Sequence, residues 1–140
     1  MICGIDEAGR GPLAGPVCAA AVVLGPHFHT EGLNDSKKLS PRRREEFCAH
    51  IMQNALFWGL AWASAQEIDQ LNILQASLLA MRRAWLELEA PAQALVQDIV
   101  VDGNICPNID GPVRALVRAD ALVPEVMAAS ILAKTARDRA

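Results

Sequence analysis

Four acidic residues stand where an α/β chain tends to assemble its sites. Asp6 and Glu7 close an apolar run that starts at Met1, Asp102 closes another running from Leu95 to Val101, and Asp120 lies in a loop just ahead of a helical pattern. Ligands of open α/β sheets bind outside the carboxyl ends of the strands. Carboxylates gathered at one point repel each other and are costly to bury unpaired, and hard divalent cations relieve both penalties. Taken singly, each acid also has an ordinary explanation as a turn residue or helix cap. The residues by themselves leave both accounts open.

The basic residues cluster as well. Lys37 and Lys38, with Arg42, Arg43 and Arg44 just beyond, are the densest group of cations in the chain. They read either as a solvated helix face or as contacts to a phosphate backbone. In Gly9-Arg10-Gly11 the glycines let a ligand approach the backbone closely, and Arg10 can fork onto a phosphate. A plain turn is the competing reading. It is not a dinucleotide-binding loop, because no helical pattern follows it. His27, His29 and His50 fall away from the acids in sequence layout and read as surface residues. Cys3, Cys18, Cys48 and Cys106 contain no Cys-x-x-Cys pair and read as reduced, mostly buried thiols.

The elements that must position these groups follow from periodicity. An opening strand to Asp6 and a second at Val17 to Leu24 are joined by a Gly- and Pro-dense connection. Ser40-Pro41 is a cap followed by proline at the first helical position, and Phe47, Ile51 and Ala55 predict an amphipathic helix to about Asn54. Leu56 to Ala63 is a third strand, and Ser64-Ala65-Gln66-Glu67 matches a capping box. Leu74, Leu78, Met81, Trp85 and Leu88 form a stripe at three- and four-residue steps, which predicts a helix from Asn72 to about Glu89. Strands at Leu95 to Val101 and Val113 to Val117 precede a helix opened by Pro124, which carries Met127, Ile131 and Leu132. This order implies one α/β domain over residues 1–140, with a mixed central sheet flanked by helices.

Composition sets the limits. The chain has 140 residues, 52% hydrophobic and 21% charged, which suits one packed domain and excludes a disordered tail or coiled coil. The longest apolar stretch, Val17 to Leu24, is far short of the roughly 20 residues that cross a bilayer. With no secretory pattern at Met1-Ile2-Cys3, the expected compartment is the cytoplasm. A net charge of -3 argues against nucleic-acid binding on its face, but divalent ions on clustered carboxylates would reverse the local sign. The final helical pattern runs to Ala140 without a closing cap, so the expectation is a chain lacking further C-terminal residues.

Motif order adds a family. Gly4-Ile5-Asp6-Glu7-Ala8-Gly9-Arg10-Gly11-Pro12-Leu13-Ala14-Gly15-Pro16-Val17 resembles the opening signature of ribonuclease HII. Leu33-Asn34-Asp35-Ser36-Lys37-Lys38-Leu39-Ser40 is similar to the family's basic motif, and Val101-Asp102-Gly103-Asn104 to the strand end that carries its third acid. Asp120, with Val123-Pro124-Glu125 and Ala128 to Lys134 after it, resembles the fourth. The resemblance implies a ribonuclease H-like fold and an endonuclease acting on the RNA strand of RNA/DNA hybrids and 5′ of ribonucleotides in duplex DNA. It further implies Mn2+ or Mg2+ held by Asp6, Glu7, Asp102 and Asp120, and substrate contacts from Gly9, Arg10, Gly11, Lys37 and Lys38. A monomer away from membranes is expected. A sliding clamp or another replication partner is left open by the residues. The family usually carries a tyrosine against the sugar at the RNA/DNA junction, and this chain has none. Two alternatives follow: a ribonuclease HIII-like enzyme, or an incomplete module that binds hybrids without cutting them efficiently.

Overall fold

The structure is a computed structural model in which residues 1–10, 15–33 and 38–140 are described. Strands β1 (Ile2–Ala8), β2 (Val17–Val23) and β3 (Phe57–Ala63) form an antiparallel meander, and β4 (Asp98–Asp102) and β5 (Val113–Leu116) extend it in parallel beyond β1. The five-stranded order is β3-β2-β1-β4-β5, so the mixed sheet expected from the element pattern is present. β2 is buried along its whole length, which accounts for its unbroken apolar run.

Helices cover both faces. On one side lie α2 (Ala65–Leu71), α3 (Ile73–Glu87) and the short α4 (Ala90–Gln93); on the other lie α1 (Pro41–Asn54) and α6 (Pro124–Arg139), with α5 (Ala119–Leu122) leading into α6. The cap signals hold locally. The Arg43 amide donates to the Ser40 hydroxyl at 3.2 Å, and Ser64 and Glu67 satisfy each other's amides at 3.1 and 3.0 Å. Among the described residues no helix is long and apolar enough to cross a membrane.

Three expectations shift. β1 continues past Asp6 to Ala8, because antiparallel pairing with β2 persists to Ala8 opposite Cys18. β4 starts at Asp98 instead of Leu95, since Leu95 and Val96 donate back to Ala92 and Gln93 and finish a helical turn. The buried stripe of α3 is Ala76, Ser77, Ala80, Met81, Ala84 and Trp85, whereas Leu74 and Leu78 sit at its flank. Small residues let α3 lie close on the sheet, where a Cβ added at Gly59 would come 2.9 Å from the Ala84 carbonyl oxygen.

Candidate metal centre

Strand alternation decides which acids can meet. Cys3 and Ile5 of β1 join the core under α3, so Gly4, Asp6 and Ala8 belong to the α6 face. On β4, Ile99 and Val101 likewise face α3, leaving Val100 and Asp102 on the α6 side. The parallel register pairs Gly4 with Val100 and Ile5 with Val101, and one more step sets Asp6 beside Asp102. Asp120 arrives by a different route. After β5 the chain turns through Arg118 in the left-handed region (φ 63°), and Asp120 then occupies the first turn of α5, which packs on Val100 and Val126 through Ala119. The expected loop at Asp120 is thus a short helix.

Asp6, Asp102 and Asp120 each offer a carboxylate oxygen, and these oxygens lie within 4.8 Å of one another. Asp6 is only 5% exposed. Burial first, and then the charges of Glu7 and Asp102, push its carboxyl well above the usual carboxylate range. An all-oxygen, anionic donor set in which the neighbouring carboxylates raise the pKa of the buried Asp6 fits a hard divalent cation, which would supply the missing positive charge.

Glu7 stands beside this trio instead of completing it. It follows Asp6 on the same strand, and although its backbone pairs with Ala19 of the α3 core, its carboxyl reaches back to the Asp6 carboxyl. Its amide donates to Asp6 Oδ1 at 2.8 Å, its carboxyl still acts on Asp6, and Arg10 Nη1 approaches its Oε1 at 3.5 Å. Arg10 is exposed at the rim with Gly9 next to it. Lys38 is exposed; Gly11 and Lys37 lie outside the described residues. Arg42 and Arg43 both approach Glu46, at 3.9 and 3.8 Å, and Arg44 binds Asp138 at 2.8 Å, tying α1 to α6. His27, His29 and His50 line a surface pocket with Phe28 and Asn54. That pocket follows the C-terminal end of β2, which runs antiparallel to β1 and so leads away from the carboxylates.

One contributor was not singled out from the sequence. A Cβ at Gly4 would overlap the Glu125 carbonyl carbon and the Val126 nitrogen, so the first turn of α6 rests directly on the β1 backbone. The available signal was a glycine inside an otherwise apolar strand, which often marks close approach of another backbone.

The family model for ribonuclease HII matches residues 3–140. The chain belongs to the ribonuclease HII family. It is 54% identical over 138 residues to a ribonuclease HII of Dechloromonas aromatica, an alignment covering 99% of this chain and 68% of that relative. Three further curated relatives are 54 to 57% identical, and the chain spans only 58 to 62% of their length. Among solved structures, the ribonuclease HII of Archaeoglobus fulgidus, determined in complex with PCNA, superposes with a TM-score of 0.77 at 28% identity, covering 99% of this chain and 72% of that one. Bst-RNase HIII in complex with Mn2+ shares the fold, with a TM-score of 0.81 at 21% identity over 96% of this chain and 51% of that one. The ribonuclease H-like fold expected from the motifs is therefore the fold of this chain.

Proposed function

We propose that this chain carries the catalytic centre of an endonuclease that hydrolyses the RNA strand of RNA/DNA hybrids and cuts 5′ of ribonucleotides embedded in duplex DNA. The observation that carries this reading is the convergence of Asp6, Asp102 and Asp120 from three elements, in a chain matched to ribonuclease HII over residues 3–140. Asp6, Asp102 and Asp120 would hold divalent metal, Mg2+ or Mn2+, with Glu7 alongside as a further ligand. When bound, two such ions supply an activated water and charge stabilisation for the leaving 3′-oxygen, giving 5′-phosphate and 3′-hydroxyl ends.

The chain's own residues then orient and discriminate. The ribose 2′-hydroxyl is not needed as nucleophile, so it is free to serve as the recognition handle. Gly9, Arg10 and Gly11 would carry that recognition: the glycines permit approach to the sugar, and Arg10, 3.5 Å from Glu7 and exposed, would meet a phosphate. Lys37 and Lys38 contribute phosphate contacts that position the duplex without reading its sequence. A module that binds hybrids without cutting them efficiently is the second reading, since the chain spans only 58 to 62% of the length of three curated relatives.

Cleavage of a labelled DNA duplex containing one ribonucleotide, with and without Mg2+ or Mn2+, separates the two. A metal-dependent cut on the 5′ side of the ribonucleotide, absent in Asp102→Asn, is the expected result. Hybrid binding without any cut by the folded chain would favour the binding module and overturn the enzyme reading.

A further inference from the structure

The end of α6 lies against Gly9 and Gly15. A Cβ built at Gly9 would lie 2.8 Å from the Pro16 carbonyl oxygen, 2.9 Å from Nε of Arg137 and 3.3 Å from its Cδ; one built at Gly15 would lie 2.9 Å from Nη2 and 3.5 Å from Cζ of Arg137. The Arg137 side chain therefore occupies side-chain space at both positions, shared at Gly9 with the Pro16 carbonyl. Both glycines also have positive φ, 106° and 129°, so neither position accepts a side chain readily. Nε of Arg137 is buried, and the charge reaches Cys18 at the start of β2, where it opposes the upward push of burial on the thiol.

The neighbouring residues of α6 are committed elsewhere. Asp138 binds Arg44 at 2.8 Å and Arg139 approaches Glu45 at 3.3 Å, both on α1. These two pairs place Asp138 and Arg139 toward α1, while Arg137 lies against Gly9 and Gly15. At its other end the same helix rests on Gly4, two residues before Asp6, and follows α5 with Asp120. α6 is thus a strut whose start abuts the carboxylates and whose end abuts the segment bearing Arg10.

We propose that Arg137 is a positioning residue: its guanidinium plane is the seat on which Gly9 and Gly15 rest, and it fixes where Arg10 stands relative to Asp6, Asp102 and Asp120. This rests on the functional reading above for what Arg10 does there. A rigid planar group can serve two flanking backbones at once, whereas a lysine ammonium on a flexible stem cannot. Arg137 acts through the segment and not by touching the nucleic acid.

The test uses the full chain with Arg137→Met and Arg137→Lys, each checked for folding by thermal unfolding. Amide hydrogen exchange at Gly9, Arg10 and Gly15 should speed up in both variants, while Mg2+ or Mn2+ affinity stays within about twofold of the parent. KM for the ribonucleotide-containing duplex should rise about 10- to 100-fold, as for loss of a supporting contact, with a smaller change in kcat. The salt dependence of binding should keep its slope, because no phosphate contact is lost. Unchanged exchange at those amides overturns the proposal. Full rescue by Arg137→Lys, or a salt slope reduced by about one, also overturns it in favour of a direct phosphate contact. A parent chain that cuts nothing, with exchange still accelerated in the variants, would retain the seat and remove only the functional reading.

Discussion

The sheet separates two cores that do different work. Under α3 the sheet meets an amphipathic helix whose outer face stays exposed, and the contact is built from alanines backed by Met81, Trp85 and Leu88. Under α6 every residue from Val126 to Ala133 is buried, because that helix is packed between the sheet and α1 and touches the β1 backbone at Gly4. The three aspartates all open on the α6 side. The α3 side carries the ordinary weight of folding, and the α6 side ties folding to the geometry of a site. Substitutions on the two faces should therefore fail in different ways.

The widest separation is expected between Asp102→Asn and Trp85→Ala. Asp102→Asn should lower cleavage by at least about 100-fold, since losing a ligand costs more than losing its supporting partner, with little change in the unfolding temperature. Trp85→Ala should destabilise the chain by about 3–5 kcal/mol in denaturant unfolding and leave metal affinity of the folded protein unchanged. A large change in that affinity would break the division between the faces.

The glycine pair probes the same contrast at smaller amplitude. Gly4→Ala forces α6 away from β1 and should cost about 3 kcal/mol, with weaker metal binding because Asp120 moves with the helix. Gly59→Ala meets the Glu87 Cβ at 2.7 Å on the α3 face. It should cost about 1–2 kcal/mol, with metal binding intact, as calorimetric titration would show.

Acidity should show opposite signs on the two sides. The Asp6 pKa is raised in the fold, so its contribution to the stability of metal-free protein is fully present below the unfolded value of about 3.9 and is lost as pH rises from there through the folded value. Asp6→Asn should therefore raise the unfolding temperature of the metal-free chain at pH 7, and Mg2+ or Mn2+ should raise that of the parent. Near α3, Arg83 binds Glu67 bidentately at 2.6 and 2.7 Å and, together with the Ser64 amide, lowers its carboxyl to about 2. That contribution is present above the unfolded value of about 4.3 and is lost as pH falls toward 2, so Glu67→Gln should flatten the acid limb of the stability curve. The smallest effect concerns the thiols. Burial pushes Cys3 and Cys18 up to about 12, whereas Cys106 is exposed, so Cys106 should react with a disulfide reagent well ahead of the three buried cysteines.

Local signals were legible where local physics decides. Ser40-Pro41 and the Ser64–Glu67 box opened their helices at the expected residues, and α1 ends at Asn54 as its periodicity predicts. The stripe of α3 gave the right helix, and Met81, Trp85 and Leu88 are buried as it predicts, whereas Leu74 and Leu78 are only half-buried because close approach to the sheet favours the smaller Ala76 and Ala80. Asp120 read as a loop residue because α5 is a four-residue helix, too short to show a period, that packs through Ala119 on Val100 and Val126.

By itself the sequence determined the element order, the α/β class and the kinds of residue available for chemistry, since caps, periodicity and motif order are short-range properties of the chain. Tertiary structure decided which of those residues share a place. The β1–β4 register put Asp6 beside Asp102, the packing of α5 brought Asp120 to them, and the path of α6 carried Arg137 to Gly9 and Gly15. Each of these depends on contacts between residues far apart in the chain, which no local pattern encodes.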